Sequence, residues 1–441
     1  MILYAIEYDI SSLGPLLDIT MANALTLEIH DNNLGWVKAG ELTFAARGEV
    51  RWEYDLDYAA EHLGRRDSAA FSINMPVDVR THKGELPPFI LDLVPQGEPL
   101  KRLLRRYQIG RDDAYDEILA RVPLASPGNI RIAEPWRQVD QLRDGYHEAG
   151  FLREDIISYK REFVDYMERH GAPIGGTTGA GGGSPKFLLR QDAAGRFHAD
   201  GMLDDALTTR AVLLKFPYTD SQNSRELLRV EKIYYDFLRE LPLVTGDALE
   251  FDHDVLFINR FDRQRDDAGR LCYHGLESFY SAHGIAVHGA RLQHEDNLRL
   301  LARRSSEPAF DMIEYIKRDL VNVILANSDN HGRNWSLIKR PNEVRLSPIY
   351  DVTAMRFFEG DFIVELTRWE PPHVPLAARL AWVQQTFASL RDRLVPELRL
   401  FLAALGNVEE RLTTLGVNRD FLSRSKIERD QLMSELKAVL M

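Results

Sequence analysis

The sequence predicts an α+β chain that is strand-rich in its N-terminal part and mainly helical toward its C-terminus. Three observations carry this. Leu25–Ile29 alternates apolar and polar residues with period two, the mark of a half-buried strand. Phe187–Arg190 and Ala211–Pro217 are short apolar runs, followed by helical spacing over Arg225–Leu241, about four turns. From Glu277 onward the apolar spacing is almost wholly helical.

The elements follow in order. After Leu25–Ile29, His-Asp-Asn-Asn supplies a turn, and Gly48–Tyr54 and Ala69–Met75 read as two further strands. Pro87–Val94 is a compact apolar run closed by Pro95, and Glu98–Val122 is helical. Ser126–Ile132 is a loop feeding a strand, and residues 136–172 read as a polar linker followed by a helix. Gly171–Lys186 is the most glycine-rich stretch. Leu256–Phe261 is a strand, Pro308–Ala326 a helix and Trp335–Ile338 a buried strand. The segment from Pro375 to the end is amphipathic helix without a further motif, and no internal repeat is present. The expected division is residues 1–135, 136–262 with the glycine-rich loop, and 263–441 as the helical lobe.

Composition bounds the function. The chain has 441 residues, 44% hydrophobic and 28% charged, ordinary for a soluble globular protein of two or three packed units. No apolar run is long enough to cross a membrane, and the first residues carry acids where a signal peptide carries bases. The expectation is a cytoplasmic protein. One cysteine, Cys272, excludes an intrachain disulfide and a cysteine zinc cluster. A net charge of −12 argues against the chain coating DNA. The basic run Leu100–Arg106 reads as the solvated face of an amphipathic helix.

The chemistry gathers in Asn327-Ser-Asp-Asn-His-Gly-Arg-Asn334. Asp329 and Asn334 stand in the order Asp-x-x-x-x-Asn, and Asp351 closes Arg345-Leu-Ser-Pro-Ile-Tyr-Asp. Phosphoryl transfer to a hydroxyl needs a carboxylate to orient and deprotonate it, and oxygen ligands for magnesium. That order is the one found in protein-kinase-like lobes, so the expected architecture is two-lobed. Singly, each residue is better read as a cap or turn residue, and His331 as a histidine bracing its loop rather than a catalytic one; the combination with the upstream residues carries the signal. Upstream, Lys215 sits inside the apolar strand Ala211–Pro217, where a charge demands an anionic partner. Glu231 on the next helix suits that role, with Glu226 as a rival. Gly175–Lys186 is no Walker A loop. It reads as a flexible linker or, from its place before two strands, as a phosphate-contacting loop. Ile258, Asn259 and Phe261 fall where a strand would border adenine, or are ordinary core.

Taken together, Gly-Gly-Gly-Ser-Pro-Lys-Phe-Leu-Leu, Leu-Lys-Phe-Pro, Arg-Phe-Asp-Arg, Asn-x-Asp-x-His-x-Arg-Asn and Pro-Ile-Tyr-Asp resemble the HipA-family serine/threonine kinases in order and spacing. Trp52-Glu-Tyr-Asp, Ser72-Ile-Asn-Met-Pro, Pro88-Phe-Ile-Leu-Asp-Leu-Val-Pro-Gln-Gly97 and Asp112-Asp-Ala-Tyr-Asp-Glu-Ile-Leu119 resemble that family's N-terminal subdomain. The resemblance implies ATP and Mg2+ as cofactors, Asp329 as catalytic base, and Asn334 and Asp351 as metal ligands. It implies Lys215 as the ATP-phosphate lysine, and Thr178, Gly179, Gly181, Gly182, Gly183, Ser184 and Lys186 in the phosphate loop. It further implies a toxin of a toxin–antitoxin pair. Its substrate would be a protein, typically an aminoacyl-tRNA synthetase, its partner a HipB-like helix-turn-helix antitoxin. DNA would be reached only through that antitoxin, since no helix-turn-helix is evident here. Two departures stand out. Arg333 replaces the usual lysine. The usual autophosphorylated serines are replaced by Gly179 and Gly181, leaving Thr177, Thr178 and Ser184 as candidates. A small-molecule kinase using the same acids and a non-catalytic binding protein on a kinase-like fold are the rival readings.

Overall fold

The computed structural model describes residues 24–440, leaving out 46–48, 112–113, 123–124, 126, 145–149, 159–162, 164–166, 168–184, 218, 220, 288, 355–364, 373 and 424–425. The phosphate-loop candidates Thr177, Thr178, Gly179, Gly181, Gly182, Gly183 and Ser184 therefore lie outside the described residues.

The first sheet has five strands in the order β4-β3-β2-β1-β5. These are β1 (Ala24–Asp31), β2 (Gly35–Phe44), β3 (Val50–Tyr54), β4 (His82–Gly84) and β5 (Ile130–Ile132), all antiparallel. Leu25, Leu27 and Ile29 alternate inward on β1, as the period-two pattern requires. α1 (Leu56–His62) is capped by Asp55, whose carboxylate accepts the Asp57 and Tyr58 N–H groups. The apolar run after Pro87 forms α2 (Pro88–Leu93), started by a proline at its first turn. Glu98–Val122 resolves into two helices, α3 (Gly97–Tyr107) and α4 (Tyr115–Arg121), because Gln108 caps α3 at φ +53°. On α3, Leu103 and Leu104 are buried while Lys101, Arg105 and Arg106 face solvent, the solvated basic face expected.

Two expectations fail here. Ala69–Met75 is no strand; it is a turn with one isolated bridge, Ser72 to Met75. Its backbone finds side-chain partners across the molecule instead of a ladder. The Ile73 N–H donates to Glu277, and Lys339 donates to the carbonyls of Ala70 and Phe71. Residues 136–144 are not linker but part of α5 (Ala133–Asp144), with Trp136 and Val139 buried. α6 (Arg153–Ile157) follows.

The second sheet runs β7-β6-β8-β10-β9, built from β6 (Lys186–Gln191), β7 (Phe197–Ala199), β8 (Arg210–Lys215), β9 (Glu250–Asp252) and β10 (Val255–Asn259). α7 (Gln222–Arg239) crosses between β8 and β9, starting earlier than the pattern predicts because the Ser221 hydroxyl caps the Ser224 N–H. The helical region is interrupted more than expected. β11 (Arg263–Arg265) pairs with β12 (Leu271–Tyr273). β13 (Gly275–Ser278), β15 (Ser336–Arg340) and β16 (Glu343–Leu346) form a three-stranded sheet, and β14 (Leu292–Gln293) pairs with β17 (Thr367–Arg368). Around them pack α8 (Phe279–His283), α9 (His294–Arg304), α10 (Pro308–Ile324) and, from Leu376 onward, the C-terminal helices. The largest core cluster joins α7 to these helices, and Ile73 from the N-terminal part is buried within it.

Candidate active site

Lys215 ends β8, and its ammonium is 2.5 Å from Glu231 and 2.7 Å from Asp351. Glu231 is buried on α7, so the strand lysine and helix glutamate meet as their sequence separation suggested. Glu226 is not the partner; it pairs with Arg229 one turn on. Lys186, at the start of β6 and opposite Lys215 in the sheet, reaches Asp351 at 3.4 Å. Two lysines thus face one aspartate. Burial alone would push Asp351 up, but the Lys186 and Lys215 charges hold its carboxyl well below the usual range. Burial lowers Lys186, with Asp351 opposing. Lys215 stays charged because Asp351 and Glu231 outweigh its burial. Burial pushes the Glu231 carboxyl up, with Lys215 opposing.

Beyond α10 the chain forms a fixed loop. The Asp329 N–H donates to Asn327 Oδ1 at 3.3 Å, and Asn330 Nδ2 donates to the Thr367 carbonyl at 2.9 Å, tying the loop to β17. Gly332 is required by packing: a Cβ there would lie 2.7 Å from Leu292 Cδ1 and from the Tyr280 ring. His331 Nδ1 accepts the Arg333 N–H at 3.1 Å, and its Nε2 is 3.4 Å from Asp329. Burial drives the His331 pKa down to about 3, so it is neutral and braces the loop. Asp329 is buried, and desolvation together with the negative charge of Asp351 pushes it up to about 7. That places a carboxylate near the operating pH of a general base. Asn334 Nδ2 donates to the Asp329 carbonyl at 2.6 Å, leaving its buried Oδ1 without a hydrogen-bond partner. An orphaned amide oxygen, in a small cavity lined also by Asp329 and Tyr350, fits a divalent cation, whose chemistry asks for oxygen ligands. Among the described residues no group of three or more His, Cys, Asp or Glu forms a metal cage. A magnesium ion would rest on Asn334, Asp351 and oxygens of a bound phosphate. Asp351 adopts φ +54°, a left-handed backbone rare for a residue with a side chain and common at working sites.

Lys186, Lys215, Glu231 and Asp351 edge a cleft of about 890 Å³, its open mouth included, while Asp329 and Asn334 line a smaller cavity on the other side of Tyr350, which borders both. Leu188, Leu213 and Ile258 give an apolar wall, and Asn259 and Phe261 continue it. The Asn259 side chain points to other work, since Asp247 accepts from its Nδ2 at 2.9 Å and Arg210 donates to its Oδ1. It can serve the cleft only through its backbone. Several lining residues were not singled out by sequence reading, among them Pro127, Leu276, Ser278 and Ser336. Asp92, Asp262 and Tyr350 stood inside quoted motifs but were given no role.

Comparison with known proteins follows the same lines. Residues 33–133 match the HipA N-terminal domain and residues 178–400 the HipA-like C-terminal domain. The serine/threonine-protein kinase toxin HipA of Shewanella oneidensis is 22% identical over 368 residues, 79% of each chain. A putative kinase of Sinorhizobium fredii, Y4mE, is 28% identical over 104 residues, a quarter of its length. The structure of Shewanella oneidensis HipA with HipB and operator DNA superposes at TM-score 0.61 and 18% identity, covering 94% of this chain and 97% of that one. The fold is therefore the α+β fold of that protein.

Proposed function

Because the chain belongs to the HipA family, we propose that it is an ATP- and magnesium-dependent serine/threonine protein kinase acting as the toxin of a toxin–antitoxin pair. The observation that carries the reading is Lys215, buried between Glu231 and Asp351 at the mouth of an apolar-walled cleft. A buried lysine with two carboxylates matches the phosphate grip of kinases.

The residues divide the work. Lys215 and Lys186 would meet the phosphates of ATP, leaving the Asp351 carboxylate free for a cation. Asn334 and Asp351 would hold magnesium, which would supply positive charge against the transferring phosphate. Leu188, Leu213 and Ile258 enclose the base. Asp329 takes the proton of a target serine or threonine hydroxyl as its oxygen bonds to the γ-phosphorus. The bond from that phosphorus to the β–γ bridging oxygen breaks, and ADP leaves. Positioning and charge stabilisation supply most of the rate.

The related HipA was solved with HipB and operator DNA, and this supports a HipB-like antitoxin as partner here, with DNA reached through it. A cytoplasmic protein substrate, such as an aminoacyl-tRNA synthetase, fits the same reading. Among the described residues no helix is long and apolar enough to cross a membrane. The test is mass spectrometry of wild-type and Asp329→Gln protein incubated with magnesium–ATP and cell extract. Phosphoserine or phosphothreonine on a discrete protein, absent with the variant, supports the reading. It would also report on Thr177, Thr178 and Ser184. Transfer only to small molecules would replace this reading with the small-molecule kinase.

A further inference from the structure

The two proposed metal ligands each follow a residue that is tied to the same place. Arg333 immediately precedes Asn334, and Tyr350 immediately precedes Asp351. The Tyr350 hydroxyl donates to the Arg333 carbonyl at 2.7 Å and shares a 2.5 Å hydrogen bond with Ser336. The Arg333 guanidinium does not point to solvent. It is buried, donates through Nη2 to the carbonyl of Leu91, and brings Nε within 4.0 Å of Asp92 Oδ1. Leu91 and Asp92 belong to α2, in the N-terminal part of the chain. Asp92 is itself fixed, since its Oδ2 accepts the Ser278 N–H at 2.9 Å. It lines the same cleft as Lys215 and Asp351.

We infer that α2 is a working part of the phosphotransfer site: Leu91 and Asp92 position Arg333, and through Arg333 and Tyr350 they set the spacing of Asn334 and Asp351 for the metal. Arg333 and Asp92 are positioning residues that act through their neighbours. The N-terminal part would then be no detachable appendage.

The inference rests on the kinase reading, and its test separates the two. Manganese binding is measured by electron paramagnetic resonance on the full chain with a non-hydrolysable ATP analogue, alongside analogue binding without metal and thermal unfolding. Arg333→Met and the near-isosteric Asp92→Asn are expected to weaken manganese binding by roughly tenfold, as outer-shell changes do. Analogue affinity without metal should stay at the wild-type value, and kcat should fall with KM for ATP little changed. Arg333→Lys keeps the charge and should restore most of the manganese affinity. Ser72→Ala removes a hydrogen bond to Glu277 at the same junction, away from the loop, and should lower stability without touching metal affinity. Unchanged manganese affinity in Arg333→Met, or in Asp92→Asn where Arg333→Met does not fold, overturns the inference. So does an Arg333→Lys protein as weak as Arg333→Met. A wild type that takes up no manganese with the analogue overturns the kinase reading and this inference with it.

Discussion

Two buried charge clusters draw on opposite ends of β6, Lys186 at its start and Arg190 near its end, and they are built on opposite terms. One gathers Arg190, Arg260 and Arg263 with Asp200, Asp205 and Asp262. Arg190 holds Asp200 and Asp205, and Arg260 holds Asp200 and Asp262 at 2.7 Å each. Arg263 donates to Asp262 at 2.9 Å and stacks on the Tyr273 ring. Burial opposes ionisation of these aspartates, yet the arginines hold Asp200 and Asp262 low, Asp262 at about 2, and a His30 hydrogen bond, together with Arg190, does the same for Asp205. The other cluster, Lys186, Lys215, Glu231, Asp329 and Asp351, is not closed in this way. Asp329 rises to about 7 while Asp351 is held low, and the Asn334 amide oxygen has no partner. In the first cluster every carboxylate is paired and held ionised, and its orphaned buried atom, Arg263 Nε, is a donor that no cation would satisfy; such a cluster fixes structure. A cluster with pKa values driven apart and an orphaned acceptor is poised to receive something. The first also carries the junction, since the Asp262 carboxylate accepts the Gly128 N–H at 2.8 Å and Asn32 accepts the Tyr273 N–H at 2.8 Å.

The contrast can be broken by experiment. The largest effect is expected in the open cluster. Asp329→Gln should cut phosphotransfer by about a hundredfold to ten-thousandfold, the worth of a general base, with nucleotide binding retained. Kinetics on purified protein decide this, and a variant that keeps its rate would remove Asp329 from the chemistry. In the closed cluster Arg190→Met should act on folding. Leaving Asp200 and Asp205 short of a cation costs about 3–5 kcal/mol in denaturant unfolding. If that variant instead lost nucleotide binding at unchanged stability, the two clusters would not divide as described.

Asp329 links the two kinds of effect. Its folded-state pKa stands above the unfolded value of a carboxyl, so the folded form prefers the proton. The resulting penalty is absent below the unfolded value, grows as pH rises, and is complete above about 7. Asp329→Asn should therefore match wild type near pH 4 and exceed it at pH 8, on the order of 4 kcal/mol in the metal-free protein. Equal stability of both proteins at pH 8 would contradict the buried, poised carboxylate. By the same sign, kcat/KM should fall as pH drops through about 7, where Asp329 takes up its proton. The smallest effect belongs to the rival glutamate. Glu226 makes a half-exposed pair with Arg229 on α7, so Glu226→Gln should change stability by less than about 1 kcal/mol and transfer not at all.

Much of the open cluster was legible in the sequence because each member announces itself locally. A lysine in an apolar strand, a glutamate on the following helix, and an Asp-x-x-x-x-Asn at a helix end are each weak alone, but their order along the chain points to one site. The closed cluster was not legible. Arg260 and Asp262 look like an ordinary charged strand end, and nothing near Arg190 points to Tyr273, 83 positions on. The same holds for α2, whose Leu91 carbonyl meets Arg333 242 positions later. Ala69–Met75 misled for a related reason. Its alternation suits a strand, but its backbone is satisfied by Glu277 and Lys339, side chains that only tertiary folding brings close.

The central claim is that the open cluster receives a metal–nucleotide complex, and calorimetric titration of the wild-type chain with a non-hydrolysable ATP analogue tests it most directly. The account predicts saturable binding that strengthens with magnesium and is lost in Lys215→Met, while Arg229→Gln behaves as wild type. Binding that ignores magnesium, or that survives the loss of Lys215 in a folded protein, would contradict it.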